Sequence, residues 1–313
     1  MLTFIVKRVL SGVVLLAVIC ALTYALLFAS GLDIARNLVG DQATPEQVAQ
    51  RARELGLDRP LVERFAEWVA SALSGDLGTS WFTAQPVLGT ISARLPVTLA
   101  IITVSIVVVA LLAVSIATAA AMRGGWIDRA VQIGSIVGDI LPNFVLALLL
   151  VILFAIHWQI FPAISTIAPD APFSAWVESL ALPVIAIVIG GVTGSTQQFR
   201  SAIIGQLEKD YVRTLRSRGV GEGEILFAHV LKNAAPAGLT VLSLQFVGML
   251  GGVVIVEEIF AVPGIGSTAV SATTQGDVPL VMGVVMTTVV LVVLVNLLVD
   301  IVNGWLNPKV RVS

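Results

Sequence analysis

Six long segments of this 313-residue chain are nearly free of charged side chains, and they constrain the fold more than any other feature. An α-helix rises about 1.5 Å per residue, so roughly 20 apolar residues cross the hydrocarbon core of a bilayer. Each segment reaches that length and is rich in Val, Leu, Ile and Ala; the segments are residues 9–32, 95–122, 131–157, 179–199, 233–256 and 278–299. We therefore predict an all-α membrane protein with six transmembrane helices.

Composition agrees with this class. Charged residues make up 12% of the chain, about half the share of a typical soluble domain, and 57% of the residues are hydrophobic. The formal net charge of −2 gives no indication of nucleic-acid binding. The one cysteine, Cys20, lies in an apolar run and cannot form a disulfide within the chain.

Lys and Arg concentrate in alternate loops, which sets the orientation, because cytoplasmic loops of membrane proteins carry the excess of basic residues. The loops between segments 3 and 4 and between segments 5 and 6 contain neither residue type. Both termini are therefore predicted to be cytoplasmic. The first apolar run exceeds the core of a signal peptide, so we predict an uncleaved first helix. The basic residues that decide the orientation are Lys7, Arg8, Arg123, Arg129, Arg200, Lys209, Arg213, Arg216, Arg218, Lys232, Lys309 and Arg311.

Residues 33–94 form a more polar segment, predicted to be external, and residues 1–32 precede it as the cytoplasmic N-terminus and first helix. Thr44 followed by Pro45 is typical of a helix start, with Thr as the N-cap and Pro at the first position. A second amphipathic stretch begins at Pro60 and contains Phe65 and Trp68 at helical spacing. Two short helices capping an outer opening and a docking surface for an external partner, to which Trp68 and Trp81 would contribute, are both compatible with this pattern.

Residues 210–236, "DYVRTLRSRGVGEGEILFAHVLKNAAP", form a polar block between two apolar segments. The pattern is helix, glycine break and helix, because glycine adopts positive φ at little cost. The apolar residues Ile225, Phe227, Val230 and Leu231 predict a hydrophobic face. Such a helix fits a groove on another protein. Periodicity alone favours the other interpretation, a helix that rests on lipid headgroups.

The polar block resembles the coupling loop of ABC-importer permeases, in the dipeptide, oligopeptide and nickel family. "DYVRTLRSRG" and "HVLKNAAP" carry that likeness, although Arg213-Thr214-Leu215 stands where the general pattern has Glu-Ala-Ala. The resemblance extends over essentially the whole chain in order, and most closely to the first of the two permease subunits. The other matching stretches are "ELGLDRPL", "SGDLGTSW", "ARLPVTLA", "VVIVEEIFAVPGIG" and "NLLVDIVNGWLNPKVR".

The resemblance implies a type I permease fold in a prokaryotic cell (plasma or inner) membrane, with residues 95–313 as a five-helix core and 200–236 as its cytoplasmic coupling loop. It implies four partners besides the lipid bilayer: a second permease subunit, two ATP-binding subunits and an extracytoplasmic substrate-binding protein. ATP and Mg²⁺ would be bound by the partner subunits, with no cofactor in this chain. The residues expected to couple to the ATPases are Asp210, Tyr211, Arg213, Arg216, Gly219, Glu222, His229 and Asn233.

No motif for chemistry is present in the sequence. It contains no G-x-x-x-x-G-K-[ST] phosphate loop and no H-E-x-x-H, and its two histidines and one cysteine suggest neither a metal site nor a nucleophile. We therefore expect no catalytic, cofactor-binding or metal-binding residues in this chain.

Four polar residues inside the apolar segments are candidates for a translocation path, because ionisable groups within a membrane are usually functional. They are Asp139, Asn143, Gln245 and Glu257. Asp139 precedes a kink expected at Pro142, and Asn143 follows it. Where this chain has Asp139, the family more often has a small neutral residue, so a path-lining role and a buried, hydrogen-bonded structural role both stay open. Glu257 matches the glutamate of the family's "VVE-x-x-F".

The function expected from the resemblance is inward transport of dipeptides and oligopeptides driven by ATP. Nickel, a metallophore or another small peptide-like solute is the alternative within the family. A secondary transporter or channel subunit is the alternative from another class, although such a carrier would place several paired ionisable groups at mid-membrane, often within inverted repeats. Neither feature is visible in the sequence.

Overall fold

The computed structural model describes residues 2–29, 31–40, 42–167 and 171–306. Lys309 and Arg311, which contributed to the predicted orientation, lie outside these residues. Within the described residues the chain forms helices joined by loops, and extended pairing is limited to an isolated bridge between Thr79 and Pro86.

The helices are numbered in chain order, and two short π-helical stretches are named by their residues. The elements are α1 (Leu2–Ala29), α2 (Gly31–Val39), α3 (Pro45–Glu54), α4 (Leu61–Leu73), α5 (Val87–Arg123), α6 (Gly125–Ile140), α7 (Asn143–Leu150), a π-helix (Val151–His157), α8 (Phe173–Leu207), α9 (Asp210–Ser217), α10 (Glu222–Glu224), a π-helix (Ile225–Val230), α11 (Leu231–Ile259), α12 (Ile265–Gln275) and α13 (Val278–Leu306).

Five of the predicted spans are confirmed as helices long and apolar enough to cross a membrane. They cover residues 5–29, 87–123, 173–207, 222–259 and 278–305 among those the structure describes. Several are longer than the uncharged runs that predicted them. Residues 222–259, for example, continue without a break from the second half of the polar block into the membrane segment. The chain is thus an all-α membrane protein.

The third predicted span is broken into two helices. The number of spans among the described residues is six only if these two helices count as one span. The helices 125–140 and 143–157 meet at an angle of 89° across Leu141 and Pro142. Proline has no backbone N–H and its ring clashes with the preceding turn, so a kink at Pro142 was expected. The structure turns this kink into a full break, with Leu141 in an extended conformation.

The two amphipathic helices predicted in segment 33–94 are confirmed as α3 and α4. Thr44 caps α3 as predicted: its side chain accepts a hydrogen bond from the backbone N–H of Gln47, whose own side chain accepts from the N–H of Thr44. This reciprocal arrangement satisfies two N–H groups that a helix start leaves open. The aromatic rings of Trp68 and Trp81, predicted to offer contact area to a partner, pack instead against the hydrophobic cluster around Cys20 and Tyr24.

The structure divides into two compact units, which are described separately. The first, the N-terminal unit, comprises residues 2–98 and 263–294. The boundaries predicted at residues 32 and 94 concern membrane sidedness, which packing does not test. The packing places α12 and most of α13 in the same unit as segment 33–94.

Buried polar contacts hold the N-terminal unit together. Asp277, only 1% exposed, immediately precedes α13. Its carboxylate accepts hydrogen bonds from the hydroxyl of Ser80 and from the backbone N–H groups of Trp81 (3.2 Å) and Leu280 (3.4 Å). The loop around Ser80 and the start of α13 are therefore joined through one side chain.

The second, the central unit, comprises residues 99–262 together with the described residues from 295 onward. Its hydrophobic core is formed by α5, α8, α9 and α11 with the stretch before α11. The buried members are Ala113, Ala117, Phe199, Ile203, Val212, Ile225, Leu226, Val230, Ala234 and Val241. Small residues allow close helix packing here: a Cβ on Gly238 of α11 would clash with the ring of Phe199 on α8.

Candidate functional site

The polar block and the polar residues of the predicted translocation path both lie in the central unit. The block begins with α9, an eight-residue helix that is anchored by one side. Val212 is wholly buried in the core of the unit, and Tyr211 and Leu215 pack against the same core. Asp210 and Arg213 remain exposed on the other side of the helix. A charged surface is thus held firmly against the ends of the long helices.

The turn after α9 depends on Gly219. This residue has φ of +79°, a conformation that residues with a Cβ rarely adopt. Its N–H donates to the carbonyl of Arg216 (3.0 Å), and the N–H of Val220 donates to the carbonyl of Leu215 (3.2 Å). This pair of bonds is the Schellman arrangement that closes a helix C-terminus. The expected positive φ is therefore confirmed at Gly219, whereas Gly221 has φ of −66°.

An ion pair crosses the turn and joins two of the predicted coupling residues. The guanidinium of Arg216 donates to both carboxylate oxygens of Glu222, at 2.6 and 3.0 Å. This two-bond geometry fixes the orientation of both side chains better than a single contact would. The carboxylate of Glu222 raises the pKa of the Arg216 guanidinium, which therefore stays charged. The turn thus presents a paired, rather than a free, positive charge.

The other predicted coupling residues are spread along the same segment. The hydroxyl of Tyr211 is 3.2 Å from the side-chain oxygen of Gln206, to which it donates. Arg213 lies 3.6 Å from Asp210, one turn earlier on α9. His229 is half-buried in the π-helical stretch, and Asn233 is exposed at the start of α11. The structure places all eight residues on one continuous segment and does not test their role.

The hydrophobic face predicted for this block packs into the chain's own core and is not an exposed surface for a partner. Ile225 and Val230 are fully buried in the core of the central unit, and only Phe227 is largely exposed, at 70%. The sequence pattern indicated an apolar surface but could not show that the chain itself covers it. What the block exposes is mainly polar, so a partner would meet charged side chains, with Phe227 among them.

Three of the four predicted path residues lie where α6, α7, α8 and α11 meet. The amide oxygen of Asn143 occupies the position that a Cβ on Gly190 of α8 would take. The amide nitrogen of the same side chain would lie 3.4 Å from a Cβ added to Gly252 of α11. The nitrogen of Gln245 would lie 2.8 Å from a Cβ on Gly191. The glycines thus make room for amide side chains beside the break at Pro142.

Asp139 and Glu257 differ sharply in their exposure. Asp139 is exposed in the last turn of α6, and one of its oxygens would lie 3.7 Å from a Cβ on Gly194. Glu257 is fully buried near the end of α11, and its backbone carbonyl accepts from the N–H of Val262 at 2.8 Å. Asp139 is therefore not a buried, hydrogen-bonded acid among the described residues of this chain. Glu257 does not line an open surface of this chain.

Sequence reasoning missed an ion pair between α6 and α8. The Nε and one terminal nitrogen of Arg200 donate to the two carboxylate oxygens of Asp128, the latter at 2.6 Å. The side chain of Gln132 donates to the same carboxylate at 2.9 Å. Both charged side chains are about four-fifths buried. They are 72 positions apart in sequence, and no local pattern pairs them.

Within the part of the chain that the structure describes, no group of three or more His, Cys, Asp or Glu side chains is placed to hold a metal ion. The features present are an anchored polar segment at the end of long helices and a line of polar side chains against glycines.

Comparison with known proteins identifies the family. Residues 110–312 match the binding-protein-dependent transport system inner membrane component, and residues 1–102 match the N-terminal part of the membrane component of such systems. A putative peptide transport system permease protein of Brucella abortus (strain 2308) is 34% identical over 313 residues, which cover 99% of each chain. The probable D,D-dipeptide transport system permease protein DdpB of Escherichia coli (strain K12) is 32% identical, covering 95% of this chain and 94% of DdpB.

A third relative extends the match to a more distant bacterium. The oligopeptide transport system permease protein AppB of Bacillus subtilis (strain 168) is 29% identical over 99% of this chain and all of AppB. These matches extend over nearly the whole of this chain. The chain therefore belongs to the family of binding-protein-dependent transport system inner membrane components.

Proposed function

We propose that this chain is one permease subunit of an ATP-driven importer that moves dipeptides and oligopeptides inward across the inner membrane of a prokaryotic cell. Two ATP-binding subunits would bind ATP and Mg²⁺ and hydrolyse the nucleotide. A second permease subunit would complete the path, and an external binding protein would deliver the peptide. Both termini and residues 210–236 would face the cytoplasm. The names of the relatives support peptides as the cargo.

The anchored position of α9 is the observation that carries this proposal. A helix that only rested on lipid headgroups would bury its apolar side in the bilayer, but Val212 is buried in the protein core. The segment continues through the turn at Gly219 into the helix 222–259 without a break in that helix. A displacement of α9 or of the turn would therefore move the membrane helices that are packed against it and continuous with it.

The test is a pair of substitutions in the turn, Gly219→Val and Gly221→Val. Both positions are open, with nothing within 4 Å of an added Cβ, but only Gly219 has positive φ. A Cβ in the left-handed region costs about 1–2 kcal/mol locally, so Gly219→Val distorts the turn. We expect peptide uptake to fall at least about tenfold in Gly219→Val complexes, at equal membrane abundance, with the ATP-binding subunits lost or hydrolysing ATP without transport.

Gly221→Val is the matched control, because its backbone conformation accepts a side chain. Uptake by this variant should stay within about twofold of wild type. Near-normal uptake by Gly219→Val, or an equal loss in both variants, contradicts the coupling role. The purified chain alone should show no ATPase activity once contaminating ATPases are removed, and it should co-purify with a second permease subunit and two ATP-binding subunits.

The external partner can be located by cross-linking. We propose that segment 33–94 receives the binding protein through the polar faces of α3 and α4, since its Trp residues pack inward. Glu63, with its side chain 61% exposed, is a suitable position for an introduced cysteine. Cross-links from Glu63→Cys to the binding protein are expected. Capture only from cysteines in the loops that follow the third and fifth spans would place the docking surface elsewhere.

A further inference from the structure

Four of the polar residues of α6 fall on one side of the helix, whereas the exposed Arg129 lies about 100° around the helix from Asp128. Asp128, Gln132, Ser135 and Asp139 are spaced by four, three and four residues, and this spacing brings side chains to one face. Ile133, two turns before Ile140, lies with it on a different face, and both are exposed. A helix of sixteen residues in a membrane protein thus carries a continuous polar stripe beside a lipid-like apolar face.

Contacts place this stripe along α8. Its first member, Asp128, pairs with Arg200, and its last member, Asp139, lies beside Gly194. Asn143, beyond the break, continues the line at Gly190. From Gly190 to Arg200 the helix rises about 15 Å, which is half the thickness of a hydrocarbon core. The polar side chains therefore follow α8 over a substantial part of a membrane crossing.

The two carboxylates of the stripe are in different situations. Asp128 accepts hydrogen bonds from Arg200 and Gln132, so its charge is compensated within the chain. Asp139 is exposed, and within the described residues it makes no hydrogen bond or ion pair. An unpaired carboxylate is among the most costly groups to place against lipid. Asp139 therefore requires water or a cationic group in front of it.

We propose that Asp139 and Asn143, at the end of the stripe next to the break, line the solute path, and that Asp139 binds the ammonium group of the passing solute. This inference rests on the proposed function and adds the residue of this chain that recognises the amino terminus of the peptide. The side-chain amide of Asn143, on the other side of the break from Asp139, can donate hydrogen bonds to peptide groups and accept hydrogen bonds from them. The Arg200–Asp128 pair ends the stripe with a compensated charge.

Thiol labelling of the assembled complex tests the path without requiring transport. The chain has one native cysteine, so Cys20→Ala gives a background without cysteine in this subunit. Asp139→Cys and Ile133→Cys are then treated with a water-soluble methanethiosulfonate. Both positions are exposed on the same helix, but only the first is on the stripe. We expect labelling at 139 to be at least about tenfold faster than at 133. Equal rates at the two positions would overturn the proposal.

A second labelling experiment tests the charge. Ile136→Cys lies one turn before Asp139, and its rates with a trimethylammonium-ethyl and a sulfonatoethyl methanethiosulfonate are compared. Replacing Asp139 with Asn should lower the ratio of cationic to anionic rates by about five- to tenfold, as expected for a unit charge about 6 Å away in water. An unchanged ratio would show that Asp139 does not face the path.

Transport by proteoliposomes of the whole complex tests the solute class. With radiolabelled tri-alanine, Asp139→Asn should reduce uptake about tenfold, and Asp139→Glu should restore most of it. If the wild-type complex transports no peptide, the proposed function fails, while the two labelling experiments still decide whether the stripe is a cation-preferring path. Loss of the second permease subunit from Asp139→Asn complexes would assign the carboxylate to a subunit interface and overturn the proposal.

Discussion

Asp277 and Asp139 are carboxylates at the ends of apolar helices, and the structure treats them in opposite ways. Asp277 is buried, and its oxygens accept from Ser80, Trp81 and Leu280. Asp139 is exposed and has no such partner among the described residues. A carboxylate whose acceptors are filled by its own chain stabilises the fold. A carboxylate left open in a membrane protein is available to a ligand, so surroundings rather than residue type separate the two roles.

The same contrast applies to the two regions as wholes. In the N-terminal unit, the polar groups around Asp277 are enclosed and join the loop of Ser80 to the start of α13. In the central unit, the amides of Asn143 and Gln245 fit against glycines beside a broken helix. Substitution of an enclosed or closely packed group should therefore reduce stability, whereas substitution of an open polar group should reduce transport. Four predictions test this difference, beginning with the largest expected effect.

Replacing Asp277 with Ala should destabilise the N-terminal unit by about 3 kcal/mol, because several buried donors would lose their acceptor together. Thermal unfolding of the purified protein in detergent measures this loss. Asp58→Ala is the control, since Asp58 is an exposed acid in the same unit, and surface changes usually stay within about 0.5 kcal/mol. If the two variants unfold at the same temperature, Asp277 is not the structural link described above.

Gly190→Ala should destabilise the central unit by about 1–3 kcal/mol, because the added methyl group would meet the amide of Asn143. Combining it with Asn143→Ala should recover much of that loss. Gly205→Ala on the same helix is the control: nothing lies within 4 Å of its Cβ, and alanine favours helix by up to about 1 kcal/mol. Strict additivity of the Gly190 and Asn143 substitutions would show that the two positions do not interact.

A double-mutant cycle with Arg200→Gln and Asp128→Asn should show a favourable coupling between the two side chains, because both are about four-fifths buried. The exposed pair Arg59 and Glu67, with side chains 46% and 60% exposed, is the matched comparison and should couple more weakly. Unfolding midpoints of the single and double variants provide both cycles. An equal coupling energy in the two pairs would show that burial does not strengthen the ion pair between Arg200 and Asp128.

Asp139→Asn should change the free energy of unfolding by less than about 0.5 kcal/mol, the smallest of the four effects, because no bond within the described residues is lost. Thermal unfolding of the same complexes used for transport measures this. The combination of unchanged stability and reduced uptake separates Asp139 from Asp277. A clear loss of stability would place Asp139 in the structural class after all.

Several features of the fold could be predicted because they depend on residues close together in the sequence. The length of an apolar run can be compared directly with the thickness of a bilayer, so five spans were predicted. The position of the break was predicted from Pro142, because proline interrupts a helix. The Thr44 cap and the turn at Gly219 are also local, since each depends on hydrogen bonds within one turn of helix. The candidate path residues Asp139, Asn143 and Gln245 were found for a related reason: a polar group in an apolar run stands out.

Other features could not be predicted because they depend on which elements meet. The pattern that gave Ile225 and Val230 an apolar face carries no information on whether that face meets a partner or the chain's own core. The same holds for Trp68 and Trp81, which pack inward. The position of Glu257 was noted in the sequence, but its complete burial was not.

The sequence by itself determined that this chain is an all-α membrane protein of a transport family with a polar segment before its fifth span, because hydrophobic run length, caps and motifs are read within short stretches. The tertiary structure alone decided which polar groups are satisfied. Ser80 and Asp277 are 197 positions apart, and Asp128 and Arg200 are 72 apart. Only packing brings such groups within hydrogen-bonding distance, and only packing leaves Asp139 without a partner in the described chain. That difference in surroundings, and not the residue type, distinguishes the two carboxylates Asp277 and Asp139.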